Sequence, residues 1–152
     1  HGLWTAHLGR MGMAIAAVGL VIPPITWLAA RNPGMHARYP EIRSAAQAPE
    51  LVLRNALAWA VYLAGYEFFF RGFLLGAWPA LGATTALYVL AHLHKGASET
   101  FGCLLMGMVF GLMSLYSGSF VAAFVVHLAI AVGTETVAAR SQAGIRWWAR
   151  AT

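Results

Sequence analysis

The chain has 152 residues, of which 60% are hydrophobic and only 10% charged, with ten Lys and Arg against five Asp and Glu. A soluble domain of this size needs more charge to cover its surface, so the composition excludes that class and points to a polytopic membrane protein. The basic excess suits cytoplasmic loops, and no basic run has the length or aromatic interleaving of a nucleic-acid surface, so the lipid bilayer is the expected partner and nucleic acid is not.

Near the start, His1, His7 and Arg10 lead into a long apolar span rather than the short core of a secretory signal, so no cleavable leader is expected. The first span is predicted over residues 11–30, with Pro23-Pro24 kinking it or ending its regular part. Residues 31–48 are the extended polar stretch, with Arg31, His36, Arg38, Glu41 and Arg43 among the breakers Pro33, Gly34 and Pro40. They read as a surface loop with a short interfacial helix. Pro49-Glu50 marks a helix start, proline fitting the first turn and the acid matching the helix dipole. This second helix runs to Trp78, before Pro79; at ~43 Å it must tilt or begin in the interface.

A short third span is predicted over 80–94, closed by Lys95-Gly96, and a fourth over 99–116, turned by Ser117-Gly118. A fifth follows over 119–138. The tail carries Arg140, Arg146 and Arg150 beside Trp147-Trp148, a mixture suited to the headgroup level. The expected fold is therefore all-α: one membrane-embedded bundle over 1–152 with about five spans and an interfacial basic C-terminal tail. An odd span number gathers Arg31, Arg38, Arg43, Lys95, Arg140, Arg146 and Arg150 on one side. The positive-inside rule makes that side, and the C-terminus, cytoplasmic, which suits a bacterial inner membrane.

Several residues in these spans are expensive to bury. Glu67 and Arg71 share a helix face one turn apart, and each alone costs roughly 2.5–3.5 kcal/mol to insert in lipid. As a pair they serve either as a functional site or as an ion pair stapling the bundle. His92, Lys95 and Glu99 cluster at one membrane end, with Gly96 favouring a break between helices. His94 lies on another side and reads as an interfacial polar residue. His127 sits mid-span in the fifth helix. Glu67, His92 and His127 thus offer a carboxylate and two imidazoles from three helices, a set able to activate water or hold a metal. They meet only if the second helix begins outside the hydrocarbon. Gly107 and Gly111 form a Gly-x-x-x-Gly, read as close helix packing. The lone Cys103 excludes an internal disulfide and a cysteine-rich metal site. Glu135, near the end of the fifth span, receives no role.

In order and spacing these pieces resemble the CPBP family of intramembrane proteases, the group of the CAAX prenyl endopeptidases and the bacteriocin-processing proteins. The family's Glu-Glu-x-x-x-Arg-Gly is similar to Tyr66-Glu67-Phe68-Phe69-Phe70-Arg71-Gly72. Its Phe-x-x-x-His is similar to Tyr88 through His92, with Lys95, Gly96 and Glu99 continuing a bacterial variant of that motif. Its glycine-rich helix, Gly-Ser turn and His-x-x-x-Asn correspond to Gly107, Gly111, Gly118-Ser119 and His127, with Ala131 in the asparagine place. The resemblance covers a core of about 51–139 and departs at two places, Tyr66 for the first glutamate and Ala131 for the asparagine. It implies an endopeptidase acting on a membrane-associated peptide or protein. Glu67 would activate water with help from His92 and Glu99, Arg71 would orient Glu67, and His127 would serve the oxyanion or the leaving amine. No cofactor is expected, although a divalent metal fits some descriptions of the family. The alternative is a non-catalytic member acting as a scaffold or assembly subunit of a larger membrane complex, with a histidine-ligated tetrapyrrole possible in that case.

Overall fold

The computed structural model describes residues 2–24, 39 and 51–151. The end of the first predicted span, nearly all of the 31–48 loop and the Pro49-Glu50 helix start lie outside the described residues. Helix α1 spans Gly2–Gly19 and so begins well before the predicted residue 11. Its end is set by Pro23, whose ring clashes with the carbonyl four residues back, that of Gly19. The chain tightens there, with Val21 N–H donating to the Val18 carbonyl at 3.0 Å.

Helix α2 starts at Leu51 and is α-helical to Glu67. It then widens into a π-helix over Phe68–Leu74 and closes with an α-turn, Leu75–Ala77. The wide turns are visible in the ladder, where Leu75 N–H donates to the Phe70 carbonyl, five residues back. Trp78 leaves the helix with φ −137° and ψ 91°, because a residue preceding proline is pushed out of the α region. Helix α3, Leu81–Leu90, is shorter than predicted. A 3₁₀ turn over Leu93–Lys95 follows, and Gly96 adopts φ 90° and ψ 165°, a conformation open to glycine. Helix α4, Ala97–Ser117, ends on Gly118 in the left-handed region at φ 68°.

Helix α5, Val121–Ala151, corrects the predicted end at 138, for the tail continues it as helix instead of forming a separate segment. No proline interrupts residues 121–151, so the tail contains no strong stop. Among the described residues there is no strand, and the fold is all-α.

Among the described residues three stretches are long and apolar enough to cross a bilayer: Ala6–Pro24, Glu99–Ser117 and Val121–Arg140. The apolar α3, ~15 Å long, covers half of a ~30 Å hydrocarbon core. The chain is an integral membrane protein, and exposed side chains such as Leu53, Val61, Phe101 and Leu105 give it an apolar exterior.

The chain divides into two compact units, His1–Ala17 with Ala64–Val126, and Val18–Leu63 with His127–Thr152. In the first, α3 packs along α4 through glycines. A Cβ on Gly107 would stand 3.0 Å from the Thr85 side chain and 3.1 Å from Tyr88, and one on Gly111 would collide with Leu81. The Gly-x-x-x-Gly therefore acts as predicted, by removing bulk where two helices meet. Phe70, Leu75, Tyr88, Phe110 and Met113 are buried there. His7, from α1, donates from Nδ1 to the Ser117 carbonyl at 2.8 Å and so satisfies one of the open carbonyls ending α4. In the second unit Asn55, Leu63, Glu135 and Ala138 are buried.

Candidate active site

The site grows from the point where α2 widens. Glu67 closes the α-helical part and Arg71 lies within the π-helix. The glutamate is 0% exposed and the arginine 6%. Arg71 Nη1 donates to Glu67 Oε1 at 3.4 Å. It lies closer to Oε2, at 3.2 Å, but off the line of a hydrogen bond, so that second contact is an ion pair. The helix-face pairing expected from the four-residue spacing is thus realised, and it faces protein.

Arg71 is also enclosed by aromatic rings. Its guanidinium carbon sits 4.1 Å from the Tyr88 ring centroid, 5.6 Å from Phe110 and 5.7 Å from Phe70. A desolvated cation over an aromatic face gains about 2 kcal/mol or more, which offsets part of the cost of taking the guanidinium out of water.

Tyr88 links this pair to His92. The two rings lie 4.5 Å apart, and they share a face because they are four residues apart at the end of α3. His92 sits just beyond the helix at φ −104° and ψ 0°. Its Nδ1 is 2.9 Å from the Tyr88 carbonyl. A carbonyl only accepts, so Nδ1 carries the proton and the lone pair of the neutral ring is at Nε2. The Tyr66 hydroxyl oxygen is 3.3 Å from the same Nδ1 and accepts a second share of that proton. Thr100, in the first turn of α4, donates to the Gly96 carbonyl at 2.9 Å and shares that hydrogen with the His92 carbonyl at 3.2 Å, tying the turn to the helix. Tyr66 also packs on Phe70, with centroids 4.7 Å apart. Tyr66 and His92 are half-buried, so the site runs from an enclosed carboxylate to a more accessible imidazole.

The remaining candidates fall as follows. Glu99 occupies the first turn of α4, with Lys95 Nζ 3.8 Å from its Oε1 and both side chains 22% exposed. This is an interfacial pair of little net energy. His127 is half-buried on α5 and opens the C-terminal segment of the second unit. Glu67, Arg71 and His92 thus come together around Tyr88. Sequence reasoning placed Tyr88 in a motif but missed its part as the ring between cation and imidazole, and it missed Phe110 altogether. The four-residue spacing of Tyr88 and His92 was the available signal. Among the described residues no three of His, Cys, Asp or Glu converge as a metal-holding group.

Fold and site together define a helical integral membrane protein with an enclosed acid–guanidinium pair beside an oriented imidazole. A family model, the type II CAAX prenyl endopeptidase Rce1-like family, matches residues 48–133, more than half of the chain, and the chain belongs to that family. This bears out the resemblance read from the motifs. No curated protein and no solved structure matches the chain.

Proposed function

We propose that the protein is an intramembrane endopeptidase of the glutamic type, hydrolysing a peptide bond in a membrane-associated protein or peptide. The observation that carries this reading is the fully enclosed Glu67, held by Arg71 and joined through Tyr88 to His92. Its family supports the same reaction class.

In this mechanism Glu67 takes a proton from a water, and the water oxygen bonds to the carbonyl carbon of the scissile peptide. His92, whose Nε2 holds the lone pair, assists in positioning that water. Negative charge collects on the carbonyl oxygen, where Tyr66 is the proposed donor. Tyr66 suits this part because its phenol has a hydrogen to give and stands beside the oriented His92. Collapse breaks the C–N bond, and the leaving amine receives the proton. Glu99 assists from the rim of the site. No divalent metal takes part in this scheme. The protein resides in a bacterial inner membrane with its C-terminus cytoplasmic, and the His92 end of the site opens toward the basic, cytoplasmic side.

The test is cleavage of a panel of lipid-modified and transmembrane peptides in proteoliposomes, with and without a divalent-metal chelator. Glu67→Gln is expected to lower the rate by ~10²–10⁴-fold, the usual contribution of a positioned general base, and the chelator to leave it unchanged. Undiminished cleavage by the variant overturns the mechanism.

The competing reading is a catalytically silent member that scaffolds a larger complex. Tyr66 and Ala131 in place of the family's polar residues favour it. It predicts co-purifying subunits, or visible absorbance from a tetrapyrrole, in protein taken from native membranes. Active, colourless protein without partners rejects it.

A further inference from the structure

The second unit has a buried polar cluster of its own. Asn55 on α2 is 8% exposed and Glu135 on α5 is 4% exposed. Asn55 Nδ2 donates to Glu135 Oε2 at 3.2 Å. A carboxylate oxygen needs a donor opposite it, so the amide must present its NH₂ end to Glu135 and turn Oδ1 away. That Oδ1 is buried and has no hydrogen-bond partner among the described residues. The buried Nε1 of Trp59, one helical turn further along α2, has none either. Both side chains line a cavity of about 20 Å³, together with Val132, Glu135 and Thr136. The Thr136 hydroxyl does not serve Oδ1, because its hydrogen goes to the Val132 carbonyl at 2.7 Å.

The chemistry of the two open groups selects the occupant. Asn55 Oδ1 is an acceptor and Trp59 Nε1–H is a donor and nothing else. A cation would suit the first and be repelled by the second, and an anion the reverse. A group with both a hydrogen to give and a lone pair to receive suits both. One water needs roughly 10–15 Å³, which the cavity provides.

We propose that this cavity is a binding site for one ordered water, which accepts from Trp59 Nε1–H and donates to Asn55 Oδ1. Its second hydrogen faces the Glu135 carboxylate, a group that accepts several bonds whatever else it contacts. The link between α2 and α5 is then a joint of amide, indole, carboxylate and water. It owes nothing to the catalytic reading above and stands whether or not Glu67 cleaves peptides.

The experiment uses the full chain in detergent micelles with ¹⁵N-labelled tryptophan indoles, the Trp59 resonance being assigned by its loss in Trp59→Phe. A Trp59 indole N–H cross-peak to a long-lived water is expected. In Asn55→Leu, which keeps the volume but removes the acceptor, that cross-peak should disappear. Val132→Ile, which adds one methyl to the cavity wall and leaves every polar atom in place, should abolish it too and keeps the test open if the leucine variant fails to fold. Absence of the cross-peak in the unmodified protein overturns the proposal, as does its persistence in a folded cavity-filling variant. A Trp59 shift that follows added metal cation overturns it as well.

Discussion

Arg71 performs two tasks with one side chain. It neutralises the enclosed Glu67 and stacks on Tyr88, whose carbonyl fixes the proton on His92. Removing the guanidinium by Arg71→Met leaves a buried carboxylate without its counter-charge, which typically costs about 3–5 kcal/mol. The expected result is a loss of that order in detergent unfolding titrations, together with lost cleavage. Arg71→Lys keeps the charge but loses the planar stack and should fall between wild type and Arg71→Met. Tyr66→Phe tests a different group. His92 stays anchored by the Tyr88 carbonyl, so stability should hold, while the cleavage rate drops by ~10²-fold if the hydroxyl serves the oxyanion. An unaltered rate removes Tyr66 from the reaction. The Glu67–Arg71 pair was legible in the sequence because four-residue spacing on a helix is a local fact. The Asn55–Glu135 bond was not, since 80 residues separate its partners and no local rule joins them.

At the level of elements, glycine decides how closely α3 and α4 lie. A methyl on Gly111 meets Leu81, whereas one on Gly102, on the same helix, meets nothing within 4 Å. Gly111→Ala should therefore lose about 1–3 kcal/mol by overpacking, less up to about 1 kcal/mol of helix propensity and whatever the Leu81 tip recovers by turning aside. Gly102→Ala should be neutral or gain up to about 1 kcal/mol from helix propensity. Thermal unfolding of the two variants side by side checks the contrast, and equal behaviour would remove the glycine contact as the organising feature. Helix stops were readable at Trp78 and Gly118, where proline and glycine impose them, but not at Leu90, which ends α3 before the predicted Lys95-Gly96. The end of α5 was not, because arginine and tryptophan suit an interface without breaking a helix. Nor did any local rule announce the π-turns after Glu67, since their wide ladder depends on how Arg71 and Gly72 are packed. A Cβ on Gly72 would stand 3.0 Å from Phe68 and 3.3 Å from Phe120.

For the whole molecule, composition alone fixed the solvent. A chain with 10% charged residues has too little polar surface for water, and the long apolar helices agree with that. The proposed sidedness rests on the charge pattern of the sequence, which assigns Lys95 and Arg140 to the cytoplasmic side. In a Cys103→Ser background, a membrane-impermeant maleimide applied to intact spheroplasts should label Ser119→Cys, in the turn before the Val121–Arg140 stretch, and spare Arg140→Cys. The opposite pattern would invert the proposed orientation. The division of the chain into two units, each drawing on distant segments, depends on contacts no local pattern encodes.

The π-turns carry a consequence for how α2 tolerates changes in length. Over Phe68–Leu74 each peptide reaches one residue further back than in an ordinary helix, so the segment stores a surplus amino acid. Deleting Phe69 would let the ladder tighten into an ordinary helix of nearly the same total rotation, so Leu75, 2% exposed, would keep its seat. Glu67 and Arg71 would then stand three residues apart, still on one face. The same loss within Leu51–Glu67, where no surplus is held, would swing everything beyond it through roughly 100°. Tolerance to a missing codon is therefore concentrated in those few wide turns, with no change in hydrophobicity to signal it.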